Sequence, residues 1–165
     1  MYGYCLSRLS GWTGRSHALP RSAMVTVCLA PEKEVYIMKA VAVALGGAIG
    51  ALMRYGCGSA IQALADQGFP YATLVVNLSG AFCIGFVSRL FETYLVSANI
   101  RALIVVGMIG SFTTFSTYVW ESVELMNCKQ YAPAVTNLAI SVLLGLLMVV
   151  VGYAVAGTIG LSEKV

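Results

Sequence analysis

Charged residues are so sparse in this chain that they divide it into long uncharged stretches. The longest hold nineteen to thirty-three residues and lie between Asp66 and Arg89, between Arg101 and Glu121, and between Lys129 and Glu163. A helix that crosses the hydrocarbon core of a bilayer needs about 20 mostly apolar residues. Each of these stretches is therefore long enough to span a membrane.

The composition excludes a soluble globule. Hydrophobic residues make up 59% of the chain and charged residues only 10%, whereas soluble domains carry roughly 25% charged residues to solvate their surface. The same hydrophobicity excludes a disordered chain. A formal net charge of +3 is too weak and too dispersed for a nucleic-acid-binding protein.

The uncharged stretches predict an all-α membrane protein with four transmembrane helices, near residues 38–62, 71–96, 99–126 and 130–157. Strands of a membrane barrel would be only about 9–11 residues long, so the length of the stretches favours helices. We assign residues 38–165 to one four-helix membrane domain.

Residues 1–37 differ from the rest of the chain. They hold four of the ten cations and the only histidine, His17. Their apolar stretch, residues 23–30, is too short to span a membrane and makes a poor signal peptide. We interpret this segment as a disordered N-terminal extension, or as an upstream mistranslation of a gene that starts at Met38.

The cations that flank the predicted helices are nearly balanced across the membrane. With the start of the first helix in the cytoplasm, the two sides carry Lys39, Arg89, Arg101 and Lys164 against Arg54 and Lys129. This is a feeble positive-inside bias. A chain with such a balance can insert in both orientations.

Three of the predicted helices carry polar or small residues at membrane depth. In the first, Gly46 and Gly50 form a GxxxG packing face, and Arg54 must face water, an anion or a helix C-terminus, or reach the interface. In the second, the amide of Asn77 must find a partner. In the fourth, Asn137 and Ser141 share one face, where they extend a polar track or bond to another helix.

The third predicted helix contains the strongest local signal, between residues 107 and 118. Two glycines precede five hydroxyl residues that are interleaved with aromatics. Hydroxyl groups can satisfy freed backbone groups, so we predict a helix break near Gly110–Thr113 whose carbonyl oxygens suit a small cation. Phe115 and Tyr118 share a face, and their electropositive ring edges can line an anion path. Glu121 and Glu124 follow near the interface, where a solvated helix end is the simpler interpretation.

Three segments together resemble the CrcB/Fluc fluoride channel family. They are GGAIGALMRY at 46–55, TLVVNLSGAF at 73–82 and GSFTTFSTY at 110–118 with Glu121, and the resemblance covers residues 38–160. It implies a passive fluoride-selective channel in the inner (plasma) membrane, which exports cytoplasmic fluoride down its electrochemical gradient and gives fluoride resistance. It also implies a homodimer of antiparallel subunits with two pores, and neither an enzyme nor a protein with other protein or nucleic-acid partners.

The resemblance assigns roles residue by residue. The implied fluoride path holds Asn77, Phe115, Tyr118, Thr117 and Ser141. The backbone carbonyls of Gly110 and Thr113 would hold a structural Na⁺ at the dimer axis, and Arg54 would lie at the vestibule. The sequence departs from the family pattern at Tyr118, where phenylalanine is usual, and at Ser111, where glycine is usual.

Other classes of protein remain as alternatives. A proton-coupled exporter needs a membrane carboxylate, and the first predicted helix has none between Met38 and Ile61. A membrane enzyme is disfavoured because His17 lies outside the core and no carboxylate pair occupies a helix interior. A non-transporting assembly subunit would be separated from a channel by a flux assay in liposomes.

Overall fold

The structure, a computed structural model, describes residues 21–65 and 68–161, and every regular secondary-structure element in this part of the chain is a helix. The elements are α1 (Arg21–Leu64), α2 (Tyr71–Thr93), α3 (Ala98–Arg101), a π-helical segment (Ala102–Ile109), α4 (Gly110–Phe112), α5 (Phe115–Asn127) and α6 (Tyr131–Leu161). No strand occurs within these residues.

Four segments are long and apolar enough to cross a membrane: Lys33–Leu64, Tyr71–Thr93, Ala98–Asn127 and Tyr131–Ile159. The predicted all-α architecture with four transmembrane helices is thus confirmed. The chain divides into two compact units, Met1–Val35 and Tyr36–Val165, and the packing and the candidate site described below lie in the second.

The helix bounds differ from the prediction by three residues or more at three places, one of which is the end of α6 at Leu161 rather than near 157. Helix α1 begins at Arg21 rather than near residue 38, so residues 21–37 are helical. The predicted disorder of the N-terminal extension otherwise falls on residues 1–20, which lie outside the described residues. Helix α2 ends at Thr93 rather than near 96, because Tyr94 adopts an extended conformation.

Helices α2 and α6 pack with their backbones in direct contact at two glycines. A Cβ atom on Gly85 of α2 would overlap the carbonyl oxygen of Val149, and one on Gly152 of α6 would overlap the carbonyl oxygen of Phe82. Small residues allow this approach in membranes, where dispersion contacts rather than the hydrophobic effect hold helices together. The two glycines therefore fix the distance between α2 and α6.

The GxxxG face of α1 packs against the π-helical segment, which confirms its predicted packing role. Cβ atoms on Gly46 and Gly50 would overlap the carbonyl oxygens of Leu103 and Met108. Gly107 also makes a close approach from the other side, since a Cβ atom there would lie 2.7 Å from the Val43 carbonyl oxygen. This contact holds the segment that leads into the break of the third transmembrane helix.

The break itself lies at Thr113 and Thr114. Both residues are extended, with φ −79° and ψ 155° at Thr113 and φ −143° and ψ 118° at Thr114. Gly110 remains helical, with φ −62° and ψ −33°. The predicted interruption is therefore confirmed. Its first extended residue, Thr113, is the last residue of the predicted interval Gly110–Thr113, and its second, Thr114, follows directly.

Helix α5 ends in a Schellman turn with an unusual residue. The Gln130 N–H bonds the Leu125 carbonyl at 2.8 Å and the Lys129 N–H bonds the Met126 carbonyl at 2.9 Å. This geometry places Lys129 in the left-handed region, at φ 61°, where glycine is the usual residue.

Lys129→Gly is expected to stabilise the protein. The left-handed conformation costs an L-residue about 1 kcal/mol, which glycine avoids, although its greater freedom in the unfolded chain takes back part of the gain. We expect a small rise in the thermal unfolding midpoint in detergent. Lys129→Ala removes the same charge but keeps Cβ, so an equal rise in that variant would contradict the backbone explanation.

Candidate functional site

A cavity of about 770 Å³ lies between α1, α2 and the start of α5. Its polar lining comes from Arg54, Tyr55, Ser59 and Gln62 of α1, Thr73 of α2, and Thr114 and Thr117 at the break. The cavity thus connects the predicted vestibule arginine with the interrupted helix. Asn77, Phe115, Tyr118 and Ser141 do not line it.

Arg54 supplies the only charge among the residues that line this cavity. Its side chain is half-buried and forms no hydrogen bond or ion pair with another described residue. A guanidinium that is partly removed from water and has no counter-charge attracts anions into the space before it. The structure therefore places an unpaired cation on the wall of this cavity.

Asn77 of α2 holds the break by both ends of its side-chain amide. Its Nδ2 donates to the Thr114 carbonyl oxygen at 3.0 Å, and its Oδ1 accepts from the Thr114 N–H at 2.8 Å. The half-buried amide thereby obtains the partner that its depth in the membrane requires. One N–H of Nδ2 remains uncommitted after these two bonds.

Thr114 and Thr117 form the N-terminal cap of α5. The Thr114 hydroxyl accepts from the Thr117 N–H at 3.4 Å and donates to the Thr117 hydroxyl at 3.0 Å. Because Thr117 Oγ1 accepts this bond, its own proton is free to point into the cavity that both residues line. Thr117 is therefore a donor at the start of α5.

Phe115 and Tyr118 are adjacent, as their spacing predicts, but their surroundings differ. Their ring centroids lie 5.6 Å apart at an interplanar angle of 54°. Phe115 is 78% exposed on the surface of the subunit, whereas Tyr118 is 7% exposed and its hydroxyl donates to the Leu138 carbonyl of α6 at 3.4 Å. The pair thus joins the interior of the bundle to its surface.

A buried polar network joins α5 to α6 behind Tyr118. The amide of Asn137 donates to Ser122 Oγ at 3.0 Å, and Ser122 donates to the Tyr118 carbonyl at 2.9 Å. Both Asn137 and Ser122 are 1% exposed. Ser141 donates to Asn137 Oδ1 at 3.4 Å. Of the two interpretations left open for this helix face, the bond to another helix is therefore seen at Asn137.

Ser122 is absent from the residues singled out in the sequence. Its position one helical turn after Tyr118 was the available signal, because a serine at that spacing lies on the same face. Only the packing of α5 on α6 reveals its amide partner, Asn137.

Glu121 is tied to α2 rather than being a freely solvated helix end. Its Oε1 accepts from the Thr73 hydroxyl at 2.7 Å, while its Oε2 is buried without a hydrogen-bond partner in the described structure. Glu121 and the exposed Glu124 line a second cavity of about 400 Å³. Thr73 lines the first cavity, so this hydrogen bond lies between the two.

Backbone carbonyls become available where α4 ends. In an uninterrupted helix the Thr114 N–H would bond the Gly110 carbonyl, but it bonds Asn77 instead. The Thr113 N–H and hydroxyl both bond the Ile109 carbonyl, at 3.1 and 3.2 Å. Side-chain ligands are not gathered, since no group of three His, Cys, Asp or Glu residues suited to a metal ion occurs in the described part.

These features define a class: a four-helix membrane protein whose third spanning helix is interrupted beside a cavity lined by one arginine. The family model described as CrcB-like protein, Camphor Resistance (CrcB), matches residues 41–153. The chain belongs to this family, and with its four spanning helices it is a multi-pass protein of the plasma membrane.

Curated relatives are similar in sequence to this chain over most of its length. The protein named fluoride-specific ion channel FluC from Thermus thermophilus is 40% identical over 117 residues, which are 71% of this chain and 92% of that protein. The protein of the same name from Magnetococcus marinus is 42% identical over 114 residues, 68% of this chain and 93% of that protein. The one from Clostridium novyi is 37% identical over 119 residues, 72% and 93% of the two chains.

Proposed function

We propose that this protein is a passive fluoride-selective channel and not an enzyme. The observation that carries the proposal is the cavity that runs from Arg54 to the interrupted helix at Thr114 and Thr117, in a chain whose relatives are named fluoride-specific ion channels. A cavity with an unpaired cation and hydroxyl donors suits a small anion.

The chemistry of fluoride explains why a passive channel would protect a cell. Hydrogen fluoride crosses membranes uncharged and ionises in a neutral cytoplasm, which traps the anion. An interior-negative potential drives an anion outward with about 2.3 kcal/mol per charge per 100 mV. Export by this route gives fluoride resistance without a coupled energy source.

The fluoride path in this proposal uses weak donors in sequence. Arg54 collects the anion, Thr117 offers its free hydroxyl proton, and the remaining N–H of Asn77 replaces water. The ring edges of Phe115 and Tyr118 follow, since aromatic edges are electropositive. Weak successive contacts let the ion leave as well as enter.

Ser141 is the last residue of the proposed path. Its hydroxyl donates to Asn137 at 3.4 Å, a long bond that rotation about χ1 can exchange for one to an anion. Asn137, Ser122 and the Tyr118 backbone hold this hydroxyl on the α5–α6 contact.

A structural Na⁺ fits the end of α4 in this proposal. The Gly110 carbonyl has lost its intrahelical donor to Asn77, and the extended Thr113 directs its own carbonyl away from the helix. Carbonyls at broken helix ends are typical Na⁺ ligands in membranes. The ion would offset the repulsion between carbonyl oxygens that the break brings together.

We further propose that two antiparallel copies form the functional channel. Phe115, with 78% of its surface exposed, is half of an aromatic pair that the single subunit leaves open on one side. The nearly balanced flanking cations leave both orientations accessible to one sequence. A second copy on the face around Phe115 would complete the path and bring two breaks to a common axis.

Dual topology predicts that the C-terminus lies on each side of the membrane in about half of the copies. A C-terminal tag, tested with a membrane-impermeant label in intact cells and again after permeabilisation, should be accessible from outside in about half of the copies. The balance of flanking cations is the physical reason. Labelling of all copies from one side would contradict the antiparallel dimer.

Growth of a fluoride-sensitive host tests the function. Expression of the parent chain should restore growth at an inhibitory fluoride concentration, with equal membrane expression verified for each variant. Arg54→Gln should restore it less well, because the neutral side chain no longer concentrates anions in the cavity. A host that stays sensitive despite membrane expression of the parent would contradict fluoride export.

A further inference from the structure

We propose that Asn77 is a positioning residue that keeps the third spanning helix broken, in addition to any contact with the anion. Both polar atoms of its amide are committed to one backbone residue, Thr114, at 3.0 and 2.8 Å. This inference rests on the proposed channel function only for its effect on flux.

The geometry of this pairing selects one backbone conformation. The N–H and C=O of an extended residue point to the same side, which lets a neighbouring residue exchange two hydrogen bonds with it. In a helix the N–H and C=O point in opposite directions along the axis, so no single amide can bond both. Asn77 can therefore bind Thr114 bidentately only while Thr114 stays extended.

The pairing competes directly with an uninterrupted helix. In a continuous helix the Thr114 N–H would donate a hydrogen bond to the Gly110 carbonyl, and the Tyr118 N–H would donate one to the Thr114 carbonyl. Asn77 takes the Thr114 N–H away from that ladder. The Thr114 carbonyl accepts from Asn77 Nδ2 and, as the N-cap carbonyl of α5, also accepts the first hydrogen bond of that helix. The Gly110 carbonyl stays released for as long as Asn77 holds the Thr114 N–H.

Thr114 transmits this constraint to the anion path. Its side chain caps α5 through Thr117, and Phe115 is the first residue of the helix that it caps. Asn77 thus fixes the origin of α5, and with it the positions of the Thr117 hydroxyl and the Phe115 ring. A substitution at Asn77 would change these positions even where no anion touches residue 77.

Backbone esters separate the positioning role from anion contact, because they leave the Asn77 side chain intact. An α-hydroxy acid at position 114 replaces the Thr114 N–H, which donates a hydrogen bond to Asn77 Oδ1, with an ester oxygen. One at position 115 weakens the Thr114 carbonyl as an acceptor for Nδ2 and leaves the Thr113 carbonyl unchanged. The control at position 116 removes the Ser116 N–H, which lies in the unbonded first turn of α5, and affects neither bond.

We expect the esters at 114 and 115 each to lower fluoride flux in liposomes by about tenfold or more, equivalent to 1.4 kcal/mol in the barrier, and to lower the thermal unfolding midpoint. The ester at 116 should leave both quantities near those of the parent. In an Asn77→Ala background, the ester at 115 should lower the midpoint no more than the ester at 116 does, because both then weaken only one hydrogen bond of the first turn of α5. That double-mutant cycle isolates the bond between residues 77 and 114.

Parent-like flux in the esters at 114 and 115 would overturn the proposal and leave Asn77 as an anion contact alone. Equal losses at 114, 115 and 116 would also overturn it, because the effect would then belong to esters in general. If Asn77→Ala does not fold, the comparison of the three esters still decides. A parent without fluoride flux would refute the channel function, while the unfolding midpoints would still test the pairing.

Discussion

Gly152→Val is expected to prevent formation of the native bundle. A Cβ atom at position 152 would overlap the carbonyl oxygen of Phe82, and a backbone atom cannot rotate aside as a side chain can. Helices α2 and α6 would have to separate along their contact, at a cost of about 3 kcal/mol or more. We expect aggregated protein in size-exclusion chromatography and a strongly lowered unfolding midpoint.

Gly145→Val is the matched control in the same helix. No atom lies within 4 Å of a Cβ built on Gly145, so the substitution adds the same isopropyl group to open surface. This variant should elute and unfold like the parent. Equal behaviour of the two valine variants would show that the α2–α6 approach at Gly152 is not what limits stability.

Phe115→Ile is expected to leave folding intact and remove most of the fluoride flux. Isoleucine keeps apolar bulk at an exposed position but lacks the electropositive ring edge of Phe115, whose ring centroid lies 5.6 Å from that of Tyr118. We expect flux in liposomes to fall by about tenfold or more. Size-exclusion chromatography should show the same oligomer as the parent.

Tyr118→Phe supplies the contrast to the isoleucine variant. It removes only the hydroxyl that donates to Leu138 at 3.4 Å and retains the ring, so flux should stay near that of the parent with a slightly lower unfolding midpoint. Parent-like flux in Phe115→Ile would show that this aromatic pair serves packing. The residue assignments of the path would then be wrong even within the right family.

The spanning helices were predictable because the bilayer imposes a simple requirement of length and polarity. The uncharged stretch after Asp66 predicted a helix from residue 71, which is where α2 begins. Its end could not be placed as well, since the extended conformation at Tyr94 leaves hydropathy unchanged. The start of α1 at Arg21 was missed because residues 21–37 carry charges that a spanning helix would not need.

The π-helical segment had no signature in the sequence. Its residues, ALIVVGMI, are as apolar as any spanning α-helix. Its packing distinguishes it: Gly107 meets the α1 backbone beside Gly46 and Gly47. Such a contact depends on two segments that lie some sixty residues apart, and a single sequence does not pair them.

The sequence predicted which residues belong to the candidate site but not which residues hydrogen-bond to one another there. Asn77 was expected to need a hydrogen-bond partner, but only the fold shows that this partner is the backbone of Thr114. The break lies at Thr113 and Thr114 because that pairing makes Thr114 extended. The Thr73–Glu121 hydrogen bond was missed because it requires the register of α2 against α5.

Fluoride efflux from liposomes tests the central claim most directly. Purified protein is reconstituted into potassium fluoride-loaded liposomes, and efflux is followed with a fluoride electrode after valinomycin is added to carry the counter-charge. The proposed channel predicts rapid fluoride efflux without a proton gradient or nucleotide, and no chloride efflux from matched potassium chloride-loaded liposomes. Efflux no faster than from protein-free liposomes, or equal efflux of chloride, would contradict a fluoride-selective channel.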